Sequence, residues 1–202
     1  GSSRQKRSSA SALEKVSEQL SGKAEQALEA YSRDGDDWGA GWILQIIQRH
    51  QPEALEALPG VSEGWFHVPS SCDIDYSDLQ RALLREHFEE ADRLTSCALR
   101  QLAGEQAVQR GYVYFSEVAP MQSLDLTSID RLWVAYSQGR FGFTVQARIL
   151  NALGGRYERL WPRIGWKNEG VWTRYPGSFQ WAMDAPEGHM PLVNQLRGVR
   201  LM

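Results

Sequence analysis

Along the first 153 residues, apolar side chains recur at steps of three and four, in short stretches broken by glycine, proline or clustered acid. That period places them on one face of a helix, so the chain is constrained to short amphipathic helices packed on a shared core. Leu13, Val16, Leu20, Ala24, Leu28 and Tyr31 make one stripe, ended by Arg33-Asp34-Gly35-Asp36-Asp37. A second helix spans about Trp38 to His50 with Trp42, Ile43, Ile46 and Ile47 inward, and Pro52 ends it. Pro59-Gly60 and Pro69-Ser70-Ser71 mark a linker or a domain seam. Beyond it, Ser77-Asp78-Leu79-Gln80 reads as a capping box that opens a helix with Leu79 and Leu83 on its apolar side. Ala91, Leu94, Thr95, Ala98, Leu99 and Leu102 form its antiparallel partner, stopped at Gly104. A connection from Gly104 to Gln122 carries Tyr112, Tyr114 and Phe115. Asp125 or Thr127 caps the next helix, through Leu126, Ile129, Leu132, Trp133 and Tyr136, which Gly139 closes; Thr144 to Leu153 is another, stopped by Gly154-Gly155.

After Trp161-Pro162 no long periodic segment follows until Pro191, which suits the first position of a short helix from Leu192 to Leu196. A structureless stretch of that length is either functional or disordered, and its tryptophans argue against disorder. The last third holds Trp133, Trp161, Trp166, Trp172 and Trp181 and closes on Asn194-Gln195-Leu196-Arg197-Gly198-Val199-Arg200. Rigid aromatics beside arginines suit a flat hydrophobic ligand with acidic edges: ring faces stack on the plane and guanidiniums fork onto carboxylates. Charge follows the same division. Residues 126–202 carry ten Lys/Arg against five Asp/Glu, residues 1–125 twelve against twenty. The basic half is the aromatic half, a combination that serves an anionic small molecule or nucleic acid.

At 202 residues the chain is long enough for one domain, or one domain with a helical appendage. No apolar run reaches the roughly 18 residues of a membrane span. Cys72 and Cys97 have no metal-ligand spacing and are expected to be reduced thiols. Gly1-Ser2 reads as a cloning scar, and the acid-free Ser3–Ala12 run as a transit-peptide remnant or a polar tail. There is no phosphate-binding Gly-rich loop with Lys-Ser/Thr, no G-x-S-x-G and no H-E-x-x-H. His50, His67, His87 and His189 are scattered as surface or capping residues are, and only His189 lies near the aromatic segment. One helical hairpin without a second copy does not make a solenoid. Arginines spaced singly between apolar residues, in a chain of net charge -3, weigh against a single-strand nucleic-acid platform.

Three strings are more specific: Leu132-Trp133…Tyr136-Ser137-Gln138-Gly139-Arg140-Phe141-Gly142-Phe143-Thr144-Val145-Gln146, Leu160-Trp161-Pro162-Arg163-Ile164-Gly165-Trp166-Lys167, and Asp184-Ala185-Pro186-Glu187-Gly188-His189-Met190-Pro191. In this order they resemble the tetrapyrrole-binding regulators of magnesium chelatase, the genomes-uncoupled-four family, over about Asp75 to Arg200. The resemblance implies an all-α fold: a compact helical domain whose long structured loops form a concave ligand-binding face, preceded by a short N-terminal helical region. Composition and apolar spacing set off a disordered tag or transit remnant (1–12) and an N-terminal helical region (13–70), and the resemblance makes 71–202 the tetrapyrrole-binding core domain. Residues 1–70 lie outside the likeness; cyanobacterial members carry a separate helical bundle there, of which this segment is a reduced or different version.

Implied with the family are binding of protoporphyrin IX and Mg-protoporphyrin IX, no catalysis, and stimulation of magnesium chelatase through its large porphyrin-binding subunit. The expected setting is the chloroplast stroma, with the cyanobacterial cytoplasm as the alternative. The expected state is a monomer that binds no nucleic acid, and peripheral association with a membrane is compatible with it. Carried over by position, the ligand meets Phe115 on one loop, and Tyr175, Trp181, Asn194, Leu196, Arg197 and Arg200 on the segment from Trp172 to Arg200. Leu196 supplies apolar floor and Asn194, Arg197 and Arg200 the polar edge. Tyr175 either stacks on the ligand or packs its loop; Arg140 and Arg163 read as surface charges outside the site. No metal ligand is assigned. Burying roughly 300 Å² of porphyrin gives about 7–8 kcal/mol, against association costs of about 4–15, while rim ion pairs add roughly 0–1 each, so the apolar face sets affinity and the arginines set orientation. Two other classes fit the residues less well: a helical module that docks a protein through an aromatic face, and a single-stranded nucleic-acid binder.

Overall fold

The computed structural model describes residues 23–35, 37–58, 61 and 64–192. Among them are nine α-helices: α1 (Lys23–Leu28), α2 (Trp38–His50), α3 (Pro52–Ala57), α4 (Ser77–Leu84), α5 (Phe88–Ala103), α6 (Glu105–Arg110), α7 (Ser123–Tyr136), α8 (Phe143–Ala152) and α9 (Tyr157–Arg163). One short antiparallel hairpin, β1 (Lys167–Asn168) with β2 (Val171–Trp172), follows them. The all-α reading holds. Of the expected helix from Leu13 to Tyr31, Lys23–Leu28 is present as α1 and residues 29–31 form a turn and bend instead, while the part before Lys23 falls outside the described residues.

α2 has the expected bounds. Asp37 caps it, its carboxylate accepting from the Gly39 amide at 3.0 Å, and Ile43, Ile46 and Ile47 are buried. Pro52 both ends α2 and opens α3, where a missing N–H at the first helical position costs nothing. α2 lies on α7 at close range: a Cβ on Gly41 would stand 2.1 Å from the Ala135 carbonyl oxygen, so only glycine admits this approach. The buried Gln45 amide ties the ends of two further helices together, donating to Leu83 O at 3.3 Å and Tyr136 O at 2.7 Å.

α4 and α5 form the expected hairpin, but the capping box does not form. Ser77 is already helical, and Asp75 accepts from its amide at 2.8 Å. Gln80 turns inward instead, exchanging hydrogen bonds with both backbone groups of Phe66 and accepting from the Tyr136 hydroxyl. Neither Asp125 nor Thr127 caps α7; Gln122 is its N-cap. Asp125 is buried and gathers the hydroxyls of Ser70, Ser71 and Tyr76 and the Ser71 amide. Burial opposes its charge, but those four donors outweigh burial and hold its carboxyl below the usual range.

One core runs from Leu28 through Phe88, Trp133 and Phe141 to Met190. A smaller one joins Val145, Ile149, Leu160, Ile164, Trp166, Phe179 and Leu192. The stretch after Leu153 is more regular than expected, since α9 encloses Trp161 and Pro162 and the hairpin follows it. Pro191 opens no helix: neither it nor Leu192 is helical, and the rest of that expected helix lies outside the described residues.

Candidate functional site

The connection after α5 is built rather than loose. α6 occupies its first part and ends on Gly111 in the left-handed conformation (φ 84), after which a 3-10 turn runs Phe115–Glu117. Arg110, the last residue of α6, holds the turn closed. Its guanidinium pairs with Glu117 at 2.6 Å, donates to Tyr112 O at 3.1 Å, and lies 4.0 Å from the Tyr114 ring centroid. The same Glu117 oxygen accepts from the Tyr114 amide at 2.7 Å. That amide first, and then Arg110, holds the Glu117 carboxyl below the ordinary carboxylate range.

This clasp leaves Phe115 pointing out, 83% exposed. Val108, Tyr114 and Leu124 are exposed too, so most of the large apolar side chains left in water among the described residues fall between 108 and 124. Single exposed hydrophobics need no explanation; several along one connection, two of them on a turn held by an ion pair, make this connection the candidate binding surface.

A second aromatic group follows the hairpin. Phe179 stacks on Trp181 (5.5 Å, 26°), and Tyr175 meets both edge-on at 5.7 and 5.9 Å. The Trp181 indole N–H donates to Pro176 O at 3.1 Å. The Tyr175 hydroxyl donates to Asp92 on α5 at 3.0 Å, and the other Asp92 oxygen accepts from the Leu192 amide at 2.6 Å. A fully buried carboxylate therefore anchors both the aromatic loop and the point where the chain leaves toward residue 193. Asp92 was not singled out in the sequence, because one acid on an amphipathic helix looks like any solvated residue.

His189 is likewise internal, 2% exposed, with its ring 4.8 Å from Phe179. Its Nδ1 faces Ile164 O at 2.7 Å and its Nε2 accepts from the Gln180 amide at 3.3 Å, which makes the ring neutral with the proton on Nδ1. Burial pushes its pKa down despite the carbonyl. Both nitrogens serve the fold, and the surface or capping role expected for this histidine gives way to a packed one. No group of three His, Cys, Asp or Glu is placed to hold a metal among the described residues.

Of the seven expected site residues, Tyr175 and Trp181 come together in one cluster, while Phe115 stands on its own turn in solvent. Asn194, Leu196, Arg197 and Arg200 lie outside the described residues. A cavity of about 340 Å³ elsewhere, lined by Arg33, Phe66, His67, Asp75, Tyr76 and Gln80, includes none of the seven. Its polar groups already serve the fold: Asp75 holds Ser77, Tyr76 donates to Asp125, Gln80 holds Phe66 and Arg33 donates to Trp65 O.

Fold and surface together define a helical scaffold that presents aromatic side chains on two well-anchored connections. The chain belongs to the GUN4-like family, whose model matches residues 69–202. A Ycf53-like protein of Synechocystis is 50% identical over 163 residues, 80% of this chain and 70% of that protein. The chloroplastic tetrapyrrole-binding protein of Arabidopsis thaliana is 37% identical over 133 residues, 61% of this chain and half of the longer plant protein. The structure of GUN4 from Chlamydomonas reinhardtii is similar with a TM-score of 0.61 and 36% identity, covering 65% of this chain and 85% of that one.

Proposed function

We propose that this chain binds protoporphyrin IX and Mg-protoporphyrin IX and acts, without catalysis of its own, as an activator of magnesium chelatase through the large porphyrin-binding subunit. The observation that carries the binding part is the clasped turn: a family member holds Phe115 out in water beside Tyr114, where a flat apolar ligand would cover it. The name of the Arabidopsis relative, a tetrapyrrole-binding protein, supports the same ligand class. The partly buried Trp181 and the segment bearing Asn194, Leu196, Arg197 and Arg200 form the other side of the site, with the arginines on the propionates. Residues 71–202 make up the tetrapyrrole-binding unit and 13–70 a helical region before it. The setting is a plastid or a cyanobacterial cytoplasm.

Titration with protoporphyrin IX should quench tryptophan emission saturably with a one-to-one endpoint. A folded chain that shows no quenching at tens of micromolar porphyrin sinks the reading. The chain alone should have no chelatase activity. Added to the chelatase subunits with ATP and porphyrin it should raise the rate, most at limiting Mg²⁺. An unchanged rate across a Mg²⁺ series removes the activator role and leaves porphyrin binding to stand by itself.

A further inference from the structure

From Gly188 to Leu192 the backbone is held from several sides. The Gly188 amide donates to Arg140 O at 2.8 Å, the Trp166 indole to His189 O at 2.7 Å, and the Gly142 amide to Met190 O at 3.0 Å. The last hold is of another kind, because two buried side chains grip the two polar groups of one peptide unit. Gln146 Nε2, on α8, donates to Pro191 O at 2.8 Å, and Asp92 Oδ1, on α5, accepts from the Leu192 amide at 2.6 Å. In a trans peptide the carbonyl and the amide point in opposite directions, so this unit is pinned from both sides. The buried Leu192 side chain adds an apolar hold in the smaller core. The chain is thus fixed in place at the point from which residues 193–202 depart.

We propose that Asp92 and Gln146 are positioning residues for porphyrin recognition: their clamp sets where the arginine-bearing segment starts, and through it the preference for porphyrins with free carboxylates. The inference rests on the reading above, in which Arg197 and Arg200 meet the propionates. Arg197 comes five residues after Leu192, so even a fully extended chain keeps its Cα within about 18 Å of that fixed point. A short tether from a fixed point holds a group at high effective concentration, and much of the ordering is done before the ligand arrives. Without the clamp the same arginines would be spread over a larger volume and would meet a propionate less often. Phe115 stands on a different connection, which the clamp does not touch. The clamp therefore acts on the acid and spares an uncharged ester.

Affinities of the full chain for protoporphyrin IX and for its dimethyl ester are measured by tryptophan quenching at low salt, with urea unfolding of every variant. Asp92→Ala and Gln146→Met should each weaken the acid about tenfold and the ester by no more than about twofold. Gln146→Met reaches the clamped peptide without touching Tyr175, which shares Asp92 through the other oxygen, and it carries the test alone if Asp92→Ala does not fold. Asp92→Asn, whose side-chain oxygen still accepts from the Leu192 amide, should keep the parent's preference for the acid. Thr95→Val, which strips the Trp133 indole of its partner on the same helix α5, should lower stability and leave that preference intact. In an Arg197→Ala/Arg200→Ala background, loosening the clamp should change neither affinity, because the groups it positions are gone. Parent-like preference in every folded clamp variant overturns the proposal. So does an equal loss of acid and ester, which would make the clamp a support of the whole pocket, and so does an undiminished loss in the arginine-free background. A loss of preference in Thr95→Val as large as in the clamp variants overturns it as a plain effect of stability. A parent that binds acid and ester alike removes the arginine reading and this proposal with it, and leaves porphyrin binding standing; a parent that binds neither removes the proposed function as well.

Discussion

Phe115 and Arg197 divide the proposed site into a part that feels ring area and a part that feels charge. Phe115→Ala should weaken protoporphyrin and its uncharged dimethyl ester alike, by about 1–3 kcal/mol, since both lose the same aromatic contact. Arg197→Ala should weaken the dicarboxylate more than the ester at low salt, because the ester has already lost the anion that a guanidinium grips. Equal cost for acid and ester would make the arginine structural. Tyr175 is set up differently from Phe115. Its hydroxyl is bonded to Asp92 and its ring is wedged against Phe179 and Trp181, so Tyr175→Phe tests its service to the loop. Removing that donor from a fully buried carboxylate should cost about 1–3 kcal/mol in denaturant unfolding, with porphyrin affinity little changed. A large affinity loss with no stability loss would show the hydroxyl to be a ligand contact.

At the scale of elements, two contacts set where the helices and turns lie. Gly41→Ala would thrust a methyl into the Ala135 carbonyl and force α2 off α7, an overpacking cost of about 1–3 kcal/mol or more that urea unfolding measures. The turn after α6 depends on Glu117 accepting from Tyr114 and pairing with Arg110. Glu117→Gln should speed amide exchange across residues 112–117 while the Tyr175–Trp181 segment keeps its protection. It should also weaken porphyrin binding less in a Phe115→Ala background than in the parent, because the clasp acts on the ligand through that ring. Equal losses in the two backgrounds would separate Glu117 from Phe115.

Across the whole molecule, the helical region before residue 70 is fastened to the rest. Arg131 on α7 donates to the carbonyls of Arg33, Gly35 and His67, and Trp42, Ile43, Trp65 and Phe66 share a core with Phe88 and Trp133. Arg131→Ala should therefore lower the midpoint of a single unfolding transition, whereas two separated transitions would mark an independent N-terminal unit. Acid should loosen the structure in a defined order. His189 is held neutral, so its contribution is whole above its unfolded pKa of about 6.5 and is lost as pH falls below that, through its lowered folded value. Asp125 follows the same sign lower down: its contribution is whole above about 3.9 and is lost as pH falls through its depressed folded value. Near-ultraviolet circular dichroism of the aromatic cluster, compared between the parent and His189→Gln, reads the first step.

The sequence by itself determined what depends on near neighbours. Apolar spacing placed α2 and α8 within about a residue and the ends of α5 and α7 as closely, though both of these begin about a turn earlier than expected, because a helix repeats every three or four positions and glycines 104 and 154 stop two of them. Three ordered motifs carried the family. Short-range signals misled where a residue's partner lay far away. Ser77 and Gln80 had the spacing of a capping box, yet Gln80 was claimed by Phe66 and Tyr136. α3, α6 and α9 are six or seven residues long, too short for a period to stand out, and tertiary packing rather than propensity sustains helices of that length. Asp92 has no local signal and Asp125 reads as a helix cap, and only the folded chain makes both of them anchors. Asp92 bonds partners 83 and 100 residues away, a separation at which no local pattern survives and where burial, by stripping water from a carboxylate, obliges it to find donors wherever the fold brings them.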